Sequence, residues 1–372
     1  MGSRGGDFWP NRVRIRIERS LPFRTILSAR SPMRPRPMSK GRITIQDIAN
    51  RAEVSKSTVS RVLNSPLIVQ ADKRERVMAT MAELGYEPNQ VARSLAGGRS
   101  MTIGIVTQNI GTPFYDSVVQ GVMQGLNGTG FSPIVGDAML NQNLFLDAAR
   151  TLMGRNVDGL ILIAGDTPSE KIEELGEEKP TLVVAREMPD WDGANIATNN
   201  FQIGANATQT LLDHGHREIV HIAGPANHID AIGRLAGFRH AMQQAGIEVT
   251  DDHIIHGDFH AESAAEAIET LAQRGVPYTA IFAANDLMAF GARLALHRRQ
   301  VSVPDQVSLI GVDDQPESKW MVPPLTTIRQ PGKEMGQAAA TAIIAMINGS
   351  EPDLPKLGGD VVLRESVRQH PS

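Results

Sequence analysis

From residue 101 onward the chain alternates short, nearly continuous apolar runs with amphipathic stretches of helical period. No other feature limits its fold as strongly. The apolar runs lie at 102–107, 133–136, 159–164, 181–185, 219–223, 280–284 and 307–312. Helical stretches sit between them at 114–127, 141–154, 200–213, 232–245, 261–273, 285–298 and 332–347. Strands covered on both faces read as continuous apolar runs, and parallel strands need crossovers that helices supply. Residues 100–372 are therefore predicted to form α/β structure with parallel sheets covered on both faces. About 270 residues exceed what one small sheet needs, so two doubly wound parallel-sheet subdomains are expected.

The formal net charge of −4 conceals an uneven distribution. Residues 1–42 carry eleven Lys/Arg against two acids, a balance of +9. Residues 43–99 carry eight against six (+2), and residues 100–372 carry 18 against 33 (−15). A basic front on an acidic bulk reads as a nucleic-acid contact at one end and a different task at the other. No apolar run approaches the ~18–20 residues of a membrane span, so no membrane partner is expected. The chain has no cysteine, which excludes a disulfide framework, Cys-ligated zinc and a Cys nucleophile and fits a cytosolic protein.

The basic front has two parts. Residues 1–42 are Arg-rich, punctuated by Pro22, Pro32, Pro35 and Pro37, and lack both a sustained period and the apolar core of a secretory signal. They are expected to be a disordered tail; a DNA-clinging arm is the functional alternative. Met38 stands directly before the first ordered motif as an alternative start. Between Thr44 and Gly85 three short helices are readable. Thr44 and Asp47 have capping-box spacing, opening a helix to Ala52 with Ile45, Ile48 and Ala49 inward. Glu53 and Val54 turn the chain, and Ser55 caps a second helix to Leu63 with Val59, Val62 and Leu63 inward. A third helix over 72–84 carries the stripe Val77, Met78, Met81 and Leu84 and is stopped by Gly85 and Pro88.

Two short helices about a tight turn, followed by a third, make a helix-turn-helix. The second helix is then the one that enters the major groove, where Lys56, Ser57 and Arg61 on one side face base edges. Thr44, Ser55, Thr58, Ser60 and Asn64 are small donors suited to phosphate oxygens, and Asn89, which can cap the next segment, joins them. The alternative is a three-helix bundle with a solvated basic face. Residues 89–99 could hold two helical turns, stable only against a partner.

The run from Ile43 to Asn64 (ITIQDIANRAEVSKSTVSRVLN) and residues 82–96 (AELGYEPNQVARSLA) closely resemble the headpiece of the lactose/galactose-repressor (LacI-type) family of bacterial regulators. The resemblance extends to about residue 365 and implies the following organisation. A DNA-binding headpiece at 43–88 and a hinge helix at 89–99 precede an effector-binding and dimerisation domain at 100–372, which resembles a periplasmic sugar-binding protein. Its N-subdomain comprises about 101–199 and 332–357, and its C-subdomain about 200–330 and 358–370. By resemblance Leu95, with Val91 and Ala92 on its face, lies in the minor groove and wedges open a central step of a palindromic operator. The implied partners are double-stranded operator DNA, a sugar or sugar-phosphate effector, and a second copy of the chain, with pairing of dimers into tetramers left open. The implied setting is the bacterial cytoplasm, on the nucleoid.

The resemblance also marks polar residues at strand ends, where open α/β sheets bind ligands. They are Thr112, Phe114, Tyr115, Asp116, Arg234, Phe259, Asn285, Asp313 and Gln330, with Asp258 beside Phe259. Asp286 and Asp314 read better as helix caps or turn formers. Family members that bind sugars often carry Asp before Arg at the end of the fourth strand, whereas this chain has Ala185 before Arg186. Arg186 with Arg234 leaves room for an acidic or phosphorylated sugar; Arg186 could equally pair with Glu187 or Asp190. No catalytic or cofactor motif is present: there is no G-x-G-x-x-G, Walker-type loop, G-x-S-x-G or H-E-x-x-H. His214, His216, His253, His256 and His260 read as surface histidines and not as a metal site. No enzyme, metal or cofactor is expected. The competing class, a sugar-binding receptor without DNA function, needs an export signal that the N-terminal stretch lacks.

Overall fold

The computed structural model describes residues 43–64, 68–86, 99–163, 167–188 and 191–371, in two compact units divided between Glu87 and Pro88.

The first unit contains α1 (Ile45–Arg51), α2 (Lys56–Asn64) and α3 (Ala71–Leu84). The capping box at Thr44 is present: the Thr44 amide donates to Asp47 Oδ2 at 2.8 Å, and the Asp47 amide to Thr44 Oγ1 at 3.3 Å. Glu53, at φ 53°, lets the chain turn between α1 and α2, and Ser55 Oγ then accepts from the Thr58 amide at 3.1 Å. Ile48, Ala49, Ala52, Val59, Val62 and Val77 form a buried core, with Ile45, Leu63, Met81 and Leu84 packed around it. The expected stripe of α3 needs one correction. Met78 is 57% exposed, and Thr80 is buried in its place. From Val77 the inward face recurs three and four residues on, which selects positions 80, 81 and 84 and leaves 78 about 100° away.

The second unit holds two sheets. The first, in the order β2-β1-β3-β4-β5, is wholly parallel and consists of β1 (Thr102–Thr107), β2 (Ser132–Asp137), β3 (Gly159–Ile163), β4 (Thr181–Val184) and β5 (Ala194–Ile196). It is flanked by α4 (Pro113–Leu126), α5 (Gln142–Gly154) and α6 (Ser169–Glu178). The second sheet contains β6 (Ile219–Ala223), β7 (Ile254–His256), β8 (Ala280–Ala283), β9 (Ser308–Asp313), β10 (Thr326–Arg329) and β11 (Asp360–Val362), in the order β11-β10-β9-β8-β6-β7. It is parallel except for the β10–β11 pair. Its helices are α7 (Asn200–Asp213), α8 (Ile229–Gln244), α9 (Ala261–Arg274) and α10 (Asp286–Arg298), while α11 (Gly332–Ile347) returns to pack on α4. The chain thus passes between lobes after β5, after β10 and before β11.

Each lobe buries apolar residues on both faces of its sheet, as the continuous runs require. The elements missing from the sequence pattern are β5, β7, β10, β11 and α6. β5, β7 and β11 have only three residues each, β10 has four of which only Ile328 is apolar, and α6 buries only Ile172 and Leu175 in a run of charges. Two helix pairs flanking the space between the lobes touch backbone to backbone. A Cβ on Gly121 would lie 2.1 Å from the Lys333 carbonyl oxygen, and one on Gly204 2.1 Å from that of Arg234. Glycine is required at both places, and through Gly204 it seats Arg234.

Candidate functional site

Two surfaces hold most of the described residues that the sequence singles out. On the first unit Lys56, Ser57 and Arg61 project from α2 and are exposed. Thr58 and Ser60 are half-buried beside them. The Ser55 hydroxyl lies 2.8 Å from both Ser57 Oγ and Thr58 Oγ1, so these three side chains form one polar group at the start of α2. The Thr44 hydroxyl donates to Asp47 at 2.7 Å. The first turn of α2 holds no acid, so nothing on that turn offsets Lys56. The side chain of Asn64, and the expected DNA contacts Asn89, Val91, Ala92 and Leu95, lie outside the described residues.

The second surface is a cleft of about 270 Å³ between the two lobes. It gathers Thr112, Phe114 and Tyr115 from the start of α4 with Arg234, Phe259, Asn285, Asp313 and Gln330 from the other lobe. These residues sit where strands end and helices begin, so the cleft lies at the carboxyl ends of the parallel strands. Thr112 precedes α4, whose first residue is Pro113, and Asn285 caps α10 by accepting from the Met288 amide at 2.9 Å. The Asn285 amide nitrogen donates to the Phe259 carbonyl at 3.0 Å. Phe259 and Asp313 hold φ of 68° and 116°, left-handed backbone that non-glycine residues adopt at a cost on the order of 1–3 kcal/mol. That strain aims both side chains into the cleft.

The polar groups are held in place before any ligand arrives. Arg234 is buried; its Nε donates to Asn200 at 2.9 Å and its Nη1 to the Ala284 carbonyl at 2.6 Å, with the guanidinium 5.9 Å from the Phe259 ring centre. Gln330 donates to Asp313 Oδ1 at 2.7 Å, and Gln330 Oε1 accepts from Thr198 at 3.0 Å. Burial pushes the Asp313 carboxyl above the usual carboxylate range, while the nearby Arg234 guanidinium works against that shift. Such an array of fixed acceptors and donors beside aromatic faces suits vicinal hydroxyls and a sugar ring.

Two expected contacts do not line this cleft. Asp116 turns back to accept from the Gly111 amide at 3.2 Å, closing the loop before α4. Arg186 donates to the Thr167 carbonyl and, at 3.2 Å, to Ser169 Oγ, which bind its guanidinium outside the cleft lining. Asp258, expected beside Phe259, lines it, and so do Gln108, His228, Asp230 and His260, none of which the sequence places there. Two of the five histidines expected at the surface therefore need correction: His260 lines the cleft, and His216 is buried, with its ring nitrogens 2.9 Å from Thr279 Oγ1 and 3.1 Å from the Arg368 carbonyl oxygen. His228 and Asp230 carry no local signal, because only the docking of α8 against α7 aims them inward; Asn200 of α7 donates to Asp230 at 2.9 Å. Asp286 accepts from Ser318, Thr327 and the Gln315 amide at 2.5, 2.6 and 2.9 Å, and Asp314 pairs with Arg329 and Arg364. Both hold the structure beneath the cleft. Among the described residues no group of three or more His, Asp or Glu is placed to hold a metal ion.

Comparison with known proteins follows the same division. The profile of the lacI family of bacterial regulatory proteins matches residues 44–89, and that of a periplasmic binding protein-like domain matches residues 208–367. The ribose operon repressor of Escherichia coli is 36% identical over 311 residues, covering 82% of this chain and 93% of the relative. Catabolite control protein A of Priestia megaterium is 31% identical over 333 residues, 88% of this chain and 99% of the relative. Among solved structures, a lac repressor dimer bound to operator and the anti-inducer ONPF aligns with a TM-score of 0.77 at 28% identity, covering 88% of this chain and 99% of that one.

Proposed function

Because this chain belongs to the LacI family of bacterial regulatory proteins, we propose that it represses transcription from a palindromic operator as a homodimer, under the control of a small neutral sugar. One observation carries the reading: the same chain joins an exposed Lys56-Ser57-Arg61 face on a capped recognition helix to a ligand-sized cleft whose polar side chains are held in place. Two half-sites need two headpieces, hence the dimer. A receptor without DNA function would leave the face of α2 without a task. No helix among the described residues is long and apolar enough to cross a membrane. A repressor works where its operator lies, so the reading puts the protein in the bacterial cytoplasm, on the nucleoid.

The cleft narrows the effector class. With Arg186 held at Thr167 and Ser169, Arg234 faces three carboxylates in the lining, those of Asp230, Asp258 and Asp313. An anionic sugar would meet this excess of like charge, whereas neutral hydroxyls find acceptors. The volume of about 270 Å³ lies just below the roughly 300–1,000 Å³ of ordinary ligand sites and suits a single ring. Binding draws the two lobes together and, through the inter-lobe crossings, changes how the hinge segments pair on DNA. Reciprocity follows: an effector that weakens operator binding is itself bound less tightly by the operator complex.

Two measurements test this. Site selection from random duplex DNA is expected to return a palindrome with a deformable centre; sequence-indifferent, salt-sensitive binding alone would refute the operator. Calorimetric titration with D-ribose, D-glucose and D-ribose 5-phosphate is expected to favour a neutral sugar. Preference for the phosphate ester would overturn the charge argument. The residues Val91, Ala92 and Leu95 are assigned to the minor groove, so Leu95→Ala should weaken the palindrome more than unrelated DNA.

A further inference from the structure

Helix α11 begins beside the cleft and ends where the interdomain linker enters the core. Its first residue, Gly332, lies two positions beyond Gln330, whose side chain reaches Asp313 in the cleft. Sixteen residues at 1.5 Å each carry it about 24 Å. At its far end Arg99 Nη2 donates to the Ile347 carbonyl at 2.9 Å and Arg99 Nη1 to Asn348 Oδ1 at 2.8 Å. A guanidinium there satisfies a carbonyl that the helix leaves without a partner and faces the negative end of its dipole. The next two residues are clamped as well: the Ser100 and Met101 amides donate to the Asp158 carboxylate at 2.9 and 2.7 Å, and β1 follows directly. Nor can α11 slide freely, since a Cβ at Gly336 would lie 2.1 Å from the Val118 carbonyl oxygen of α4.

We propose that Arg99 is a positioning residue for the allosteric response: by gripping the C-terminus of α11 it transmits displacement of Gln330 at the cleft to the segment that leads to the headpiece. This rests on the regulator reading above. Arg99 neither lines the cleft nor belongs to the recognition helix, so its effect on either surface is indirect.

Amide hydrogen exchange on the full chain tests this, followed at residues 89–103 and in the last turn of α11, for wild type, Arg99→Ala, Gln330→Ala and the double variant. Arg99 is exposed, so the substitution leaves the fold standing, and calorimetric melting of the core serves as the check. Loss of two hydrogen bonds from a charged donor is expected to speed exchange at Ser100, Met101 and the helix end about tenfold. Gln330→Ala should alter exchange at 99–103 when Arg99 is present and leave it unaltered when residue 99 is Ala. Arg99→Lys should restore less than half of the protection, because one ammonium does not reproduce the two-pronged donor. Exchange within twofold of wild type in Arg99→Ala, a Gln330→Ala effect that is the same in both backgrounds, or no Gln330→Ala effect in either overturns the proposal. Because exchange is read without DNA, failure here leaves the operator reading intact, and failure of site selection leaves the exchange result standing.

Discussion

At the scale of single residues, two kinds of charge carry the behaviour of the protein. Arg61 is exposed on α2, in reach of guanine O6 and N7 if the helix docks as proposed. Arg61→Ala is expected to cost about 1–3 kcal/mol of palindrome binding and to relax specificity at one base position, with sugar affinity unchanged. Operator affinity equal to wild type in a filter or anisotropy titration would place another residue in the groove. Asp286 is buried charge. Burial pushes its carboxyl up to about 7, the neighbouring Asp313 adds to this, and hydrogen bonds from Ser318, Thr327 and the Gln315 amide oppose it. The folded chain holds a proton that the unfolded chain releases, so this group's contribution is complete below about pH 4 and is lost as the pH rises through 7. His216 and His221, held near 4 and near 3 mainly by burial, act in the opposite sense, losing stability as the pH falls below 6.5. Asp286→Asn removes one of these opposed contributions. Measured by thermal melting between pH 4 and 8, the variant is expected to lose more stability on acidification than wild type; parallel curves would show that Asp286 does not titrate in that range.

At the scale of elements, glycine contacts decide how closely the helix pairs approach. Gly121→Ala drives a methyl to 2.1 Å from a backbone oxygen of α11, and the helices must part. A destabilisation of about 1–3 kcal/mol or more is expected, read from denaturant melts. Gly154, the last residue of α5, offers the control: nothing lies within 4 Å of its built Cβ, so Gly154→Ala should be neutral or stabilise by up to about 1 kcal/mol. Equal effects at both positions would mean that close approach of α4 and α11 is not what Gly121 provides. Gly121 was not singled out from its sequence neighbours, since a glycine inside a helical pattern has many readings. Its role depends on which helix lies opposite.

At the scale of the whole molecule, the two compact units have separate cores. A headpiece of about 45 residues has little stability in reserve, on the order of 2–7 kcal/mol. Ile48 is fully buried at its centre, and Ile48→Ala is expected to remove about 2–5 kcal/mol and unfold it. Operator binding should vanish while sugar binding and the main melting transition persist. Loss of sugar binding in that variant would show that the units do not fold independently.

The local elements were legible because their causes are local. The Thr44–Asp47 spacing predicts the start of α1, and the continuous apolar runs predict seven strands within a residue or so of their observed bounds. The resemblance then pointed to eight residues that the structure brings into one cleft. What sequence period could not reach were the directions of side chains at element ends. Asp116 and Arg186 carry the right chemistry for a sugar site, yet a nearer backbone partner takes each of them: the Gly111 amide and the Thr167 carbonyl. Asp230 enters the cleft through the packing of α8 on α7, and Arg99 meets Ile347 across 248 positions of chain. Element identity follows from the order of apolar and polar residues, which the chain carries along its length. The choice among competing hydrogen-bond partners is made only when distant segments pack, because only then is it settled which donor and acceptor lie within 3 Å.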